Sequence, residues 1–303
     1  MTSAVTTLPP YLTVQDIDAV VRRGLLEDVG AGDVTTLATI DPERRAEAVV
    51  IAKDHGVVAG LLVAERVFAA LPGPVSLAWE VEDGQRVAPG QLIGRLTGNA
   101  RSILEGERLA LNLMQRLGGI ATATARMVEA AGGRARILDT RKTAPGLRTL
   151  DKWAVLLGGG TNHRVGLHDM ILIKDNHIAA CGGVRQAVEA ANRFRVQEGR
   201  DELEIELEVR TDLELAELLE VGGVERVLLD NMVSVDEDGT VHTSRLQAAV
   251  ERVGGTFLTE ASGNVTLATV PAIAATGVDF ISSGALTHSV RALDISLKVT
   301  LSA

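Results

Sequence analysis

Aromatic residues make up only 2% of the 303 residues: four Phe, two Trp and one Tyr. A chain so poor in π-faces has no platform on which to stack bases, and a formal charge of −10 argues against a partner as anionic as a phosphate backbone. One cysteine, Cys181, excludes an internal disulfide and a Cys-based zinc site, and it reads as a buried bystander. No stretch of about twenty apolar residues is present, so no membrane span is expected. The opening MTSAVTTLPP has no basic residue ahead of an apolar run, which predicts no secretion signal and a cytoplasmic protein. What the chain does have is 46% apolar residues, so its core is built from Ala, Val, Leu and Ile. The length suits two domains, or one large barrel with an extension.

Positive charge is gathered in one place. The stretch Asp139–His177 reads DTRKTAPGLRTLDKWAVLLGGGTNHRVGLHDMILIKDNH. Six cations (Arg141, Lys142, Arg148, Lys152, Arg164, Lys174) face four aspartates, a balance of +2 that leaves −12 elsewhere. An acidic protein that focuses cations in one segment raises the local concentration of anions there. Ile137-Leu138 and Met170–Ile173 are short apolar runs, each ending in a polar cluster. That is the pattern of buried strands opening onto one mouth of an α/β domain.

Residues 1–11 read as a loose lead-in. Thr13 then caps a helix whose apolar stripe is Ile17, Val20, Val21 and Leu25. The acids of LLEDVGAGDVTTL read as a Gly-Asp turn. From Ala46 to Gly98 the pattern is β-like, with turns at Asp54–Gly56, Asp83-Gly84 and Pro89-Gly90. Part of it resembles a biotinyl or lipoyl hammerhead, but no lysine lies between Ala78 and Gly98, so it reads as scaffold. Arg101 to about Ala131 is helical, with a break expected at Gly118-Gly119. Beyond Ala135, strands are expected at 136–139, 170–174, 204–209, 226–230, 256–259 and 279–282. Helices are expected at 151–157, 183–196, 212–220, 243–252, 267–275 and 293–299. Alternation of this kind predicts parallel βα units closing into an incomplete barrel. No GxGxxG follows a strand, so a dinucleotide fold has no support.

In such a barrel the chemistry lies where the strands end. Those positions are Thr140-Arg141-Lys142, Lys174, Glu208, Asp230-Asn231, Ser262-Gly263-Asn264 and Ser282-Ser283-Gly284. Cations come first, acids follow, and hydroxyl-glycine turns close the series, a gradient suited to one extended polyanion. The two turns, with Ala285, present hydroxyls and backbone N–H groups ahead of helices, which favours phosphate. Glu208 and Asp230 offer oxygen ligands for Mg²⁺ or for ribose hydroxyls. Glu204, Glu206 and Glu208 share one face of their strand, read as a wet face because burying three acids is costly. Arg141 and Arg164 carry planar forks suited to carboxylates, and Lys142 and Lys174 are point charges suited to phosphate. A Schiff-base role for Lys174 and a non-catalytic phosphometabolite binder are the competing readings.

The strings DTRKT, GGGTNHR and LIKDNH, in this order and spacing, resemble the quinolinate phosphoribosyltransferase family, and the resemblance covers nearly the whole chain. It implies an N-terminal α+β sandwich domain over 1–134, an incomplete parallel α/β barrel over 135–291 and a C-terminal helix over 292–303 returning to the first domain. The implied reaction joins quinolinate to phosphoribosyl pyrophosphate with Mg²⁺, releasing nicotinate mononucleotide, pyrophosphate and CO₂ in NAD biosynthesis. Lys142, Lys174, Glu208 and Asp230 would form the catalytic set. Thr140, Arg141, Lys142, His163, Arg164 and Lys174 would hold quinolinate, joined by Arg108 from the neighbouring subunit of a homodimer. Glu208, Asp230, Asn231, Ser262, Gly263, Asn264, Ser283, Gly284 and Ala285 would hold the phosphoribosyl group, with Glu208 and Asp230 on the metal. A related transferase acting on nicotinate without decarboxylation is the runner-up.

Overall fold

The computed structural model describes residues 7–301. Of the loose lead-in expected over 1–11, residues 1–6 lie outside that range. The chain divides into two compact units that interleave along the sequence. The first takes residues up to 125, then 143–159, then 286 onward, and the second takes 126–142 and 160–285.

The first unit is built on a four-stranded antiparallel sheet, in the order Ile295–Leu301, Arg45–Ala52, Leu92–Asn99, Val75–Trp79. Ala46, Ala48, Val50 and Ala52 alternate inward along the second of these strands, the period-2 signature of a half-buried strand. Two helices, Val14–Asp28 and Leu61–Ala69, bury Ile17, Val21, Val63 and Val67 in the same core. The first begins with the expected capping box: Thr13 Oγ1 accepts the Asp16 N–H (3.2 Å), and the Asp16 carboxylate accepts the Thr13 N–H (2.9 Å). Asp33 caps Val34–Thr39 by accepting the N–H groups of Thr35 and Thr36, so the acidic glycine turn is a helix start.

The structure departs from the expected pattern at several points. The C-terminal segment is a strand, because Ile295, Leu297 and Val299 alternate with period 2 and the segment pairs antiparallel with 46–52. Residues 143–159 belong to the first unit, because the helix Arg148–Leu157 buries Leu150, Trp153, Ala154 and Val155 in its core. Arg116 fixes this segment through a bidentate pair with the fully buried Asp151 (2.9 and 2.7 Å) and also donates to the Thr287 carbonyl (3.2 Å). Finally, Ala100–Ala131 is one continuous helix through Gly118-Gly119. The glycines are there for space: a Cβ at Gly119 would sit 2.3 Å from the Arg291 carbonyl oxygen and 3.0 Å from Ala292 Cα.

The second unit holds six parallel strands: Arg136–Leu138, Ile171–Ile173, Ile205–Val209, Arg226–Asp230, Leu258–Ser262 and Phe280–Ser282. Each pairs with its successor in sequence, the last pairs with the first, and the pairing is missing only between 136–138 and 171–173. An incomplete barrel follows. Its first strand is extended on the open side by a parallel bridge from Leu138 to Thr161. The helices Val184–Glu198, Asp212–Val221, Ser244–Val253 and Val270–Ala274 lie between successive strands, and the sequence pattern missed the short Asp175–Cys181. Cys181 is exposed at the end of that helix, contrary to the burial expected for it. The 205–209 strand is buried at every position, so Glu206 and Glu208 face the barrel interior and not water.

Replacing Gly119 by Ala should destabilise the protein by about 1–3 kcal/mol through overpacking, despite the roughly 1 kcal/mol by which Ala is the better helix former. Urea denaturation of both proteins measures this, and a variant as stable as the parent would refute the close approach.

Candidate active site

The strand ends surround a cavity of about 540 Å³. All six strands contribute, and every residue lining it belongs to the second unit. Of the six cations in the 139–177 segment, Arg141, Lys142, Arg164 and Lys174 line the cavity. Arg148 and Lys152 leave with the helix that joins the first unit, where Lys152 is wholly buried.

Arg141 and Arg164 lie close enough for their charges to repel. Burial, then Arg141, depresses the Arg164 guanidinium below its ordinary value. Arg164 donates to the Met170 carbonyl (3.2 Å), and Arg141 Nε is a buried donor with no hydrogen-bond partner. A buried unpartnered N–H beside a second guanidinium suits an anion with paired oxygens. Thr140 shapes the turn at this edge, its Oγ1 accepting the Lys142 N–H (3.0 Å).

Opposite stand the acids. Glu208 is almost wholly buried, and both its oxygens are taken: Lys174 Nζ donates to Oε2 (2.7 Å) and Arg210 Nη2 pairs with Oε1 (2.9 Å). Asp230 Oδ2 accepts from Asn231 Nδ2 (2.7 Å) and faces Arg210 Nε at 3.4 Å. Burial, then the nearby Glu208 charge, raises the Asp230 carboxyl above the usual range. Lys174 is half exposed and ion-paired, unlike the dry lysine a Schiff-base enzyme needs. Asn231 adopts a left-handed φ of 55°, and its N–H donates to the Ser262 carbonyl (2.9 Å). Gly263 packs against it: with φ at +90°, a Cβ there would lie 2.2 Å from Asn231 Oδ1. This rim therefore depends on that glycine.

The floor holds a cluster the sequence reading did not assemble. His163 Nε2 lies 2.8 Å from Glu206 Oε2 and 3.6 Å from Glu260 Oε2, while its Nδ1 accepts the Arg164 N–H (2.8 Å). His163 is therefore wired into the floor through both ring nitrogens and fixes the backbone from which Arg164 projects. Arg226 pairs with Glu260 (3.3 Å) and lies 4.3 Å above the Phe280 ring. Oε1 of Glu206 and Oε1 of Glu260 are buried without partners. Burial, then repulsion from Glu206, lifts the Glu260 carboxyl to about 7. Burial likewise lifts Glu206 to about 7. Two carboxylates in dry surroundings cannot both ionise cheaply, so the pair retains a proton near neutrality.

The other expected residues are placed differently. Arg108 is on the long helix of the first unit, beside Asp28, Asp33 and Glu105, and lines a separate cavity of about 380 Å³. Ser262, Gly263 and Ser282 line the barrel cavity, whereas Asn264, Ser283, Gly284 and Ala285 do not. Asn264 turns away to donate to the Val233 carbonyl (2.8 Å), and the Ser283 N–H donates to the Leu138 carbonyl (3.1 Å). The helices expected straight after these turns are also weak anion sites: one begins only at Val270, and Ala285–His288 is a single turn. Sequence reasoning missed Arg210, Glu206 and Glu260. Arg210 had a signal, since it follows Glu208 by two residues at a strand end. Glu260 had one too, as the lone carboxylate at the end of the strand expected over 256–259.

Family models for the N-terminal and C-terminal domains of quinolinate phosphoribosyl transferase match residues 33–118 and 120–298. The chain is 48% identical over 297 residues to quinolinate phosphoribosyltransferase (decarboxylating) 1b of Nicotiana tabacum, covering 96% of this chain and 84% of that one. It is 50% identical over 297 residues to the chloroplastic nicotinate-nucleotide pyrophosphorylase (carboxylating) of Arabidopsis thaliana, covering 96% and 85%. Among solved structures, the nicotinate-nucleotide pyrophosphorylase from Francisella tularensis superposes with a TM-score of 0.85 at 36% identity, over 99% of this chain and 100% of that one.

The buried acid cluster makes stability depend on pH. Glu260 ordinarily titrates at 4.5 and does so at about 7 in the fold. Between those values the unfolded chain has released a proton that the folded chain keeps, so stability falls as pH rises through this window. Glu260→Gln should remove most of that fall, on the order of 1–3 kcal/mol between about pH 5 and pH 8. Urea denaturation at both pH values checks it; a pH slope equal to that of the parent would mean that no proton is held at Glu260.

Proposed function

The chain belongs to the quinolinate phosphoribosyltransferase family, and we propose that it converts quinolinate and phosphoribosyl pyrophosphate to nicotinate mononucleotide, pyrophosphate and CO₂ on the pathway to NAD. The observation that carries this reading is the pair Arg141 and Arg164, crowded at one side of the cavity with Arg141 Nε unpartnered, facing the acids Glu208 and Asp230 at the other. Two forks suit a substrate with two carboxylates, whereas nicotinate, with one, needs a single clamp.

The pyridine nitrogen attacks C1 of the ribose as the bond to pyrophosphate breaks. Positive charge gathers on the sugar ring in that transition state, and Glu208 and Asp230 stabilise it. The electron pair left on C2 when the adjacent carboxylate departs as CO₂ is stabilised by the positive charge of the neighbouring pyridinium nitrogen, and C2 then takes up a proton from water. No general base is required. Lys142 and Lys174 neutralise the oxygens of both substrates. Arg141 and Arg164 hold the carboxylates, and His163 acts from beneath by fixing Arg164. Glu208 and Asp230 offer only oxygen donors, the set that suits Mg²⁺, which retains several waters and binds through one or two carboxylates plus phosphate oxygens. When bound there, Mg²⁺ would supply charge neutralisation to the leaving pyrophosphate.

Arg108 belongs to this proposal as the residue one subunit lends to the cavity of another, which requires a homodimer. The cytoplasm is the compartment of this reading, although plant relatives carry chloroplastic or mitochondrial names.

Purified protein given quinolinate, phosphoribosyl pyrophosphate and Mg²⁺ should release CO₂ and nicotinate mononucleotide together. Turnover of nicotinate in place of quinolinate would favour the non-decarboxylating reading. Arg141→Ala and Arg164→Ala should each lower kcat/KM for quinolinate roughly ten- to a hundredfold, the worth of a charge-assisted hydrogen bond. Wild-type values in either variant would remove the carboxylate assignment.

A further inference from the structure

Arg210 has no part in the reaction just described, yet it is the most heavily paired cation at the cavity rim. Its guanidinium reaches three carboxylates from three successive βα units: Asp175 (2.5 Å), Glu208 (2.9 Å) and Asp230 (3.4 Å). Two of these acids are shielded from water and so depend on a nearby cation, Glu208 with a side chain 4% exposed and Asp230 with one 14% exposed. Lys174 takes the other Glu208 oxygen, so Glu208 Oε1 and the Arg210 side of Asp230 share one cation between them.

The backbone of Arg210 is pinned by hydrogen bonds, whereas its side chain is held only by these ion pairs at a half-exposed position. Its N–H donates to Glu214 Oε2 (2.8 Å), and its carbonyl accepts from Arg245 Nη2. The side chain is 48% exposed, with open solvent on one flank. A guanidinium on a fixed base, half in water, can leave the acids by rotation of its own χ angles without disturbing the strand beneath. It also cannot stay if a divalent cation arrives, because both would need Glu208 Oε1 and Asp230 Oδ2, and like charges at that range repel.

We infer that Arg210 is the resident counter-ion of the acid pair, occupying in the free protein the place a divalent cation takes on binding, so that metal and arginine compete for Glu208 and Asp230. The inference rests on the assignment of these two acids to the metal. It gives the free protein a device for keeping a buried carboxylate neutralised between turnovers, and it weakens metal binding until the anionic substrate arrives with the ion.

The test uses Mn²⁺ as the probe, with binding to the full-length protein in the absence of substrate followed by the loss of the free-ion electron paramagnetic resonance signal. Arg210→Gln should bind Mn²⁺ roughly tenfold more tightly than the parent, because the ion no longer displaces a charge-assisted pair. Arg210→Lys, which keeps the charge but can bridge only one acid, should fall between them. Glu208→Gln should lose the binding altogether. If Glu208→Gln abolishes binding but Arg210→Gln binds no more tightly than the parent, the competition is disproved while the metal assignment stands. If Glu208→Gln and Asp230→Asn both bind Mn²⁺ like the parent, the acids are not the metal site and the competition falls with that assignment.

Discussion

Parallel pairing is the constraint on which the rest of the molecule depends. Six strands running the same way bring six carboxyl ends to one rim, so residues distant in sequence, from Thr140 to Ser282, share a single cavity. The open edge between the 136–138 and 171–173 strands does not spoil this, because the remaining pairings are continuous. The rim sorts charge by strand with one exception, Arg210 at the end of the third: guanidinium and ammonium groups come from the first two, carboxylates from the next two, small hydroxyl and glycine turns from the last two.

Burial gives these charges their effect. Glu206 and Glu260 sit under the cavity with one oxygen each unpartnered, held by His163 and Arg226 and retaining a proton near neutral pH. That arrangement fixes His163, and through its Nδ1 the backbone that carries Arg164. The floor is thus a positioning layer for the wall above it. At the rim, Lys174 and Arg210 perform a similar service for Glu208. Removing one of the two would leave the almost wholly buried carboxylate with a single cationic partner.

The first unit is assembled from three separate stretches of chain, and one arginine joins two of them to the long helix. Arg116 grips Asp151 in the 143–159 segment and the Thr287 carbonyl in the returning C-terminal stretch. Gly119, one turn along the same helix, allows the backbone at Arg291 and Ala292 to approach. The final strand then completes the sheet beside 45–52.

Much of this was legible in the residues alone. The βα alternation after Ala135, the cap at Thr13 and the cavity lining by Arg141, Lys142, Arg164, Lys174, Glu208 and Asp230 follow from periodicity and from which residues end the apolar runs, since local pattern dictates local structure. The family strings reinforced that reading of the site. The final strand was misread as a helix although Ile295, Leu297 and Val299 alternate with period 2, because the strand that pairs with it lies some 250 residues away. Tertiary structure alone decided what depends on neighbours remote in sequence: that Gly118-Gly119 make room and do not break a helix, that Arg148 and Lys152 leave the cation cluster, and that Glu206 faces a histidine and a second glutamate in place of water. Burial and partnership are properties of the assembled molecule. A sequence pattern fixes which side of a strand a carboxylate occupies, but only packing fixes what stands opposite it.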